Sequence, residues 1–223
     1  MRHQLVACAA LMLGLSVNAQ AATPSVAVDI APLHSLVSQV MEDVGQPKLL
    51  IPAEASPHQY TLRPSEAKAL ADAEVVFWIG EGLTPWLEKA IENLAESAQK
   101  VEMLEIEGTT TYAFREGATF ESHDHDDHGD DEKHDENKDE HHDEEHHDHE
   151  GNDPHAWLDP ENAKVWISYI SEILSKQDPE NAATYSRNAA QATAVLDALI
   201  SSTTKQITDL DKPQFIVFHD AYQ

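Results

Sequence analysis

The sequence predicts an open α/β fold, on three observations. Short apolar runs alternate with helical patterns along the first half of the chain. The runs lack strict polar alternation, as parallel strands covered on both faces do. A proline stands in the first turn of each following helical pattern, where its missing N–H costs nothing. In order, a strand-like run at 25–30 leads to a helix at 32–44, a run at 48–51 to a helix at 64–71, and a run at 75–79 to a helix at 85–98; a last run covers 101–106. Pro32, Pro64 and Pro85 mark the helix starts, with nearby Ser and Thr as candidate caps.

Farther on, Asp159-Pro160 and Asp178-Pro179 each set a capping carboxylate before an N1 proline, which predicts two more helices. The second is long. Tyr185, Ala189, Ala192, Leu196, Leu199, Ile207 and Leu210 recur at three- and four-residue steps, with Thr203 filling the gap between Leu199 and Ile207, and no Gly or Pro interrupts them before Pro213. At ~1.5 Å per residue such a helix would reach roughly 48 Å, more than a crossover needs, and it reads as a rigid strut. Residues 214–218 then open another apolar run close to Gln223. One strand makes no domain, so a second domain is expected to be mostly missing from a C-terminally truncated sequence.

The N-terminus reads as a secretory signal peptide over 1–21: Arg2 supplies the positive start, Leu5–Leu15 the apolar stretch, and Ala19-Gln20-Ala21 a small-residue cleavage site. That stretch is too short to span a bilayer, which takes about 20 apolar residues. The single cysteine, Cys8, lies in Leu5-Val6-Ala7-Cys8, a loose match to a lipoprotein signal that comes too early to have an apolar stretch before it. Cleavage after Ala21 leaves no thiol, so any metal site must use His and carboxylates.

Charge is concentrated. The chain holds 41 Asp and Glu against 14 Lys and Arg, a net −27, with 41% hydrophobic residues. Nucleic acid is excluded as a partner, since phosphate binding needs clustered cations. Residues 121–150 alone hold sixteen acidic residues, two lysines, nine of the 14 histidines and no apolar side chain. Such a stretch cannot build a core and is expected to be disordered. A solvated linker is the ordinary meaning of a charge run. Its histidines, His123, His125, His128, His134, His141, His142, His146, His147 and His149, argue instead for metal binding, the carboxylates attracting cations and the imidazoles selecting among them. A flexible loop spends ordering entropy on each ion, so several loosely held ions are expected.

Three other histidines stand in loops. His58 follows the second strand and precedes Tyr60 and Leu62-Arg63-Pro64-Ser65; His155 lies in Asp153-Pro154-His155-Ala156-Trp157-Leu158-Asp159-Pro160; His219 ends the final run in Phe218-His219-Asp220. Singly, each is an ordinary surface or capped core residue. In open α/β folds ligands gather beyond the carboxyl ends of strands, where His58 and His219 fall. Three imidazoles with one further position suit Zn²⁺, whereas Mg²⁺ and Mn²⁺ sites lean on oxygen. His34 reads as a partly exposed helix residue, Arg63 as a salt-bridging loop residue and Asp159 as a helix cap, the last two also able to orient a ligand.

The segments Ala55-Ser56-Pro57-His58-Gln59-Tyr60 with Leu62-Arg63-Pro64-Ser65, the His/Asp/Glu stretch, 153–160, the long helix and 218–222, in that order, resemble the periplasmic solute-binding proteins of zinc ABC transporters. The resemblance spans the chain after residue 21. It implies two open parallel-sheet lobes: 22–177 forms the first, 178–211 is the linking helix, and 212–223 starts the second. Metal would sit in the cleft between them, held by His58, His155 and His219, with Zn²⁺ as the transported ligand. It further implies a monomer in the periplasm that catalyses nothing and serves a membrane permease with a cytoplasmic ATPase. Some zinc members carry a glutamate just before the first ligand, where this chain has Pro57. Manganese-binding relatives carry a glutamate where His219 stands, so a third imidazole favours zinc over manganese. A zinc hydrolase would use the same ligands, but the chain has no His-Glu-x-x-His helix, no serine elbow and no acid/base group beside them.

Overall fold

A parallel four-stranded sheet in the order β2-β1-β3-β4 organises the chain. The computed structural model describes residues 23–114, 152–210, 216–217 and 221–222; the expected signal peptide, the acidic stretch, most of the last apolar run and His219 lie outside them. β1 (Val26–Val28) leads to α1 (Ala31–Val40), β2 (Lys48–Leu49) to α2 (Pro64–Ala71), and β3 (Val75–Trp78) to α3 (Pro85–Leu94) before β4 (Gln99–Glu102). This is the parallel-sheet α/β fold expected from the βα alternation.

The central strands β1 and β3 are buried along their whole length, and they are the ones written in Val, Ala, Phe and Trp. β2 and β4 lie at the edges, where Lys48 and Lys100 are exposed. The edge position explains one correction. The last strand covers Gln99–Glu102, not 101–106, because its register sets Gln99 and Lys100 beside Val75 and Val76; Met103–Glu105 is a 3-10 turn. An edge strand needs only one apolar face, so a search for continuous apolar residues starts it too late.

The helix ends also differ. α1 stops at Val40 because Asp43 adopts φ +67° and the turn closes through Val44 N–H and Gly45 N–H on the Met41 carbonyl. α3 stops at Leu94 as Ala95 leaves helical geometry. No Ser or Thr hydroxyl caps α1, α2 or α3. At α2 the Glu66 carboxylate reaches back to accept from Arg63 N–H at 2.7 Å.

α4 (Pro160–Gln177) begins as expected, with Asp159 accepting from Glu161 N–H at 2.8 Å. It buries Trp166, Ile167, Ile170, Ile173 and Leu174 against the core. Its buried Asn162 bonds both backbone groups of Thr110 and the Ala156 carbonyl, and Trp166 Nε1 donates to Thr109 Oγ1. These bonds fix the 109–112 segment, against which the chain returns: Ala113 bridges Asn152, and Asp153 N–H donates to the Tyr112 carbonyl at 2.7 Å.

Asp178 does not cap the long helix as expected. A 3-10 turn, Pro179–Asn181, intervenes, and α5 runs over Ala182–Thr208, roughly 40 Å at ~1.5 Å per residue. Asp178, buried, instead accepts from Asn181 Nδ2 and from the Tyr185 hydroxyl at 2.9 Å. The first half of α5 packs into the same core through Tyr185, Ala189 and Ala192, and Asn188 donates to the Val40 and Glu42 carbonyls at the end of α1 and just after it. Farther along, Val195, Leu199 and Ile207 are exposed. The periodic stripe is therefore a core face only in its first half. Among the described residues no helix is long and apolar enough to cross a membrane.

Burial and the Asp178 bond push the Tyr185 phenol well above its ordinary range, so the hydroxyl is a committed donor. Tyr185→Phe is expected to lower stability by about 2 kcal/mol, the worth of a hydrogen bond to a charged group, read from urea unfolding midpoints.

Candidate metal centre

His58 lies in the loop between β2 and α2, at the carboxyl edge of the sheet. The loop is pinned beside it. Trp86 Nε1, from the first turn of α3, donates to the Pro57 carbonyl at 2.8 Å, and the Tyr60 ring meets Trp86 edge-on at 6.0 Å. Tyr60 in turn bonds the Glu66 carboxylate that caps α2. The loop backbone is thus fixed while the His58 side chain stays accessible, since residue 58 is exposed.

His155 sits in a 3-10 turn, Pro154–Leu158, that leads into α4. Asp153 starts that turn and accepts twice, from His155 N–H at 2.9 Å and from His155 Nδ1 at 2.6 Å. Both side chains are nearly buried, 8% exposed for His155 and 7% for Asp153. The Trp157 ring lies 6.5 Å away.

The fold brings these two histidines together: their ring centroids are 5.6 Å apart with planes at 68°. With Zn–N bonds of ~2.0–2.1 Å, two imidazoles on one tetrahedral zinc have centroids about 5 Å apart. The spacing is close to that of two imidazoles on one ion. A cavity of about 340 Å³ opens beside His155, lined by Tyr112, Asp153, His155 and Asp159 and also by Ala221 and Tyr222. His219, two residues before Ala221, lies outside the described residues. Among the described residues no group of three or more His, Cys, Asp or Glu is gathered for a metal. The nine histidines at 123, 125, 128, 134, 141, 142, 146, 147 and 149 also lie outside the described residues.

The remaining candidates take their ordinary roles. His34 Nε2 bonds the Pro47 carbonyl at 3.1 Å, Arg63 faces Glu66 at 3.9 Å, and Asp159 caps α4. Two residues that position the histidines escaped the sequence. Trp86 acts on His58 from 28 positions away and leaves no local signal. Asp153 did leave one: an acidic residue two before a histidine, with proline between, is the pattern of a turn whose first carboxylate can reach back to the ring.

Residues 26–223 match the family model described as ZnuA, zinc-uptake complex component A, periplasmic. The high-affinity zinc uptake system protein ZnuA of Paracoccus denitrificans (strain Pd 1222) is 48% identical over 206 residues, 92% of this chain and 63% of that protein. Its counterpart in Brucella abortus (strain 2308) is 44% identical over 232 residues, 99% of this chain and 70% of that protein. The crystal structure of Zn(II)-bound AdcA from Streptococcus pneumoniae shares the fold at a TM-score of 0.63 and 20% identity, covering 89% of this chain and 36% of that one. The chain thus spans about two thirds of the length of these ZnuA relatives. With a family model matching from β1 onward and 48% of 206 aligned residues shared with a ZnuA protein, the chain belongs to the ZnuA family.

Proposed function

We propose that this chain is the zinc-capturing part of a periplasmic solute-binding protein, which loads Zn²⁺ and hands it to the membrane permease of an ABC importer driven by a cytoplasmic ATPase. The observation that carries this reading is the meeting of His58 and His155 at 5.6 Å beside a buried carboxylate. His219 is the third ligand of the proposal, on the Phe218-His219-Asp220 motif and on Ala221 and Tyr222 lining the His155 cavity. Family membership supports zinc as cargo, a periplasmic location after removal of 1–21, and capture without catalysis. The protein acts as a monomer. Residues 22–177 serve as one lobe, 178–211 as the link, and 212–223 as the opening of a second. The nine histidines of 121–150 form a weaker zinc reservoir whose ions exchange with the main site.

An all-nitrogen set of three imidazoles prefers Zn²⁺ over Mn²⁺, which seeks oxygen. Zinc and protons also compete for the same lone pairs. Calorimetric titration is therefore expected to show one tight zinc site above several weak ones, little displacement by excess Mn²⁺, and a steep loss of tight binding between pH 8 and pH 5. Equal affinity for the two metals, or an unchanged tight site at pH 5, overturns the proposal.

A further inference from the structure

We propose that Asp153 is a positioning residue that sets the tautomer of His155, keeping the proton on Nδ1 and the lone pair on Nε2 for the metal. The proposal rests on the zinc reading only in naming the ion that Nε2 receives.

A carboxylate offers acceptors alone, whereas a neutral imidazole has one donor and one acceptor nitrogen. At 2.6 Å from Asp153 Oδ1, His155 Nδ1 must therefore be the protonated nitrogen. The carboxylate has little freedom to yield. Its own N–H is spent on the Tyr112 carbonyl, the next residue is the buried Pro154 with its φ locked by the ring, and the same Oδ1 holds the His155 N–H at 2.9 Å. At 7% exposure, water competes weakly for the carboxylate. A turn cap needs only the backbone bond, so the shorter bond to the ring is an addition that capping does not explain. Its consequence is chemical. A buried carboxylate on Nδ1–H fixes the ring plane and makes the opposite nitrogen a stronger donor to a cation.

Imidazole ¹⁵N spectra of the metal-free chain at pH 8 test this, with the His155 signals identified by their loss in His155→Gln. The expected result is a protonated Nδ1 and an unprotonated Nε2. In Asp153→Ala the His155 tautomer is expected to shift toward Nε2–H, and zinc affinity to fall about 10- to 100-fold, the usual cost of losing such a partner. Asp153→Asn keeps an oxygen acceptor without the charge. It is expected to retain the Nδ1–H form with a smaller loss, and it serves where the alanine variant does not fold. A cap with no further role would lower the melting temperature of these variants and leave the tautomer alone. His155 protonated on Nε2 in the wild-type chain overturns the proposal, as does wild-type zinc affinity in the asparagine variant. A wild-type chain with Nδ1–H that takes up no zinc supports the tautomer assignment and overturns the zinc reading instead.

Discussion

Replacing His155 with alanine is expected to weaken tight zinc binding by more than about 100-fold, beyond the loss caused by removing an outer partner such as Asp153. His155→Ala removes an imidazole already held in place: its ring is bonded to a buried carboxylate, 8% exposed, and seated in a turn clamped to α4 through the Ala156 carbonyl and Asn162. A ligand ordered in advance spends little entropy on binding, so nearly all of its bond to the ion contributes to affinity. His58→Ala is expected to cost less, because residue 58 is exposed and its bond to the ion is made in competition with water, whereas the His155 ring is 8% exposed. His34→Ala serves as the control. It lies outside the site on the Pro47 carbonyl and should leave zinc binding unchanged. Competition against a chelator of known affinity measures all three. A His155→Ala chain that keeps the tight site refutes the ligand assignment, and a larger effect at His58 refutes the argument from preorganisation.

The parts of this architecture that the sequence makes legible are those where local chemistry and tertiary position agree. β1 and β3 are apolar on both faces because both faces are covered, and Pro64 and Pro85 mark their helices because the first helical residue has no N–H obligation in any context. Agreement fails at edges and ends. Gln99 and Lys100 are strand residues only because β3 lies beside them, and α1 ends where Asp43 turns left-handed, neither of which apolar periodicity encodes. The stripe on α5 shows the converse failure: Ala189 and Leu199 look alike in period, yet only the first has a core to face. At the site, His58 and His155 are each recognisable from a loop setting, but 97 positions separate them, and only the packing of the 109–112 segment under α4 carries one toward the other. Asp178 and Asp153 both precede proline, and a cap is what their sequence suggests. Asp178 bonds a tyrosine instead, whereas Asp153 caps its turn and also reaches a histidine ring, because those rings lie within reach.

The largest stability effect is expected at Asp29. The order β2-β1-β3-β4 reverses direction between β1 and β3, and beyond the carboxyl ends of those strands an open α/β sheet leaves a crevice where ligands usually bind. Here the chain fills that point itself. Asp29, fully buried at the end of β1, accepts from Ile30 N–H at 2.6 Å, beside the start of α1, and from Ile79 N–H at 2.7 Å, beyond the end of β3. Its backbone also pairs with Phe77 and Ile51. Asp29→Ala leaves two buried N–H groups without their acceptor and opens a void, a cost of about 4 kcal/mol at 1–3 kcal/mol for each orphaned group. Asp29→Asn keeps one acceptor and loses the other, and its cost should depend on pH. Burial pushes the Asp29 carboxyl from 3.8 up to about 7, against the two amide bonds, which favour the charged form. Between those values the unfolded chain has released a proton that the folded chain still holds. The contribution of this group to stability is therefore greatest below pH 4 and falls as pH rises to about 7. Asparagine has no such dependence, so Asp29→Asn is expected to destabilise more at pH 5 than at pH 8, compared by urea unfolding of both chains at each pH. An equal penalty at the two values would mean that the carboxylate stays ionised, and that the two N–H groups outweigh the burial of its charge.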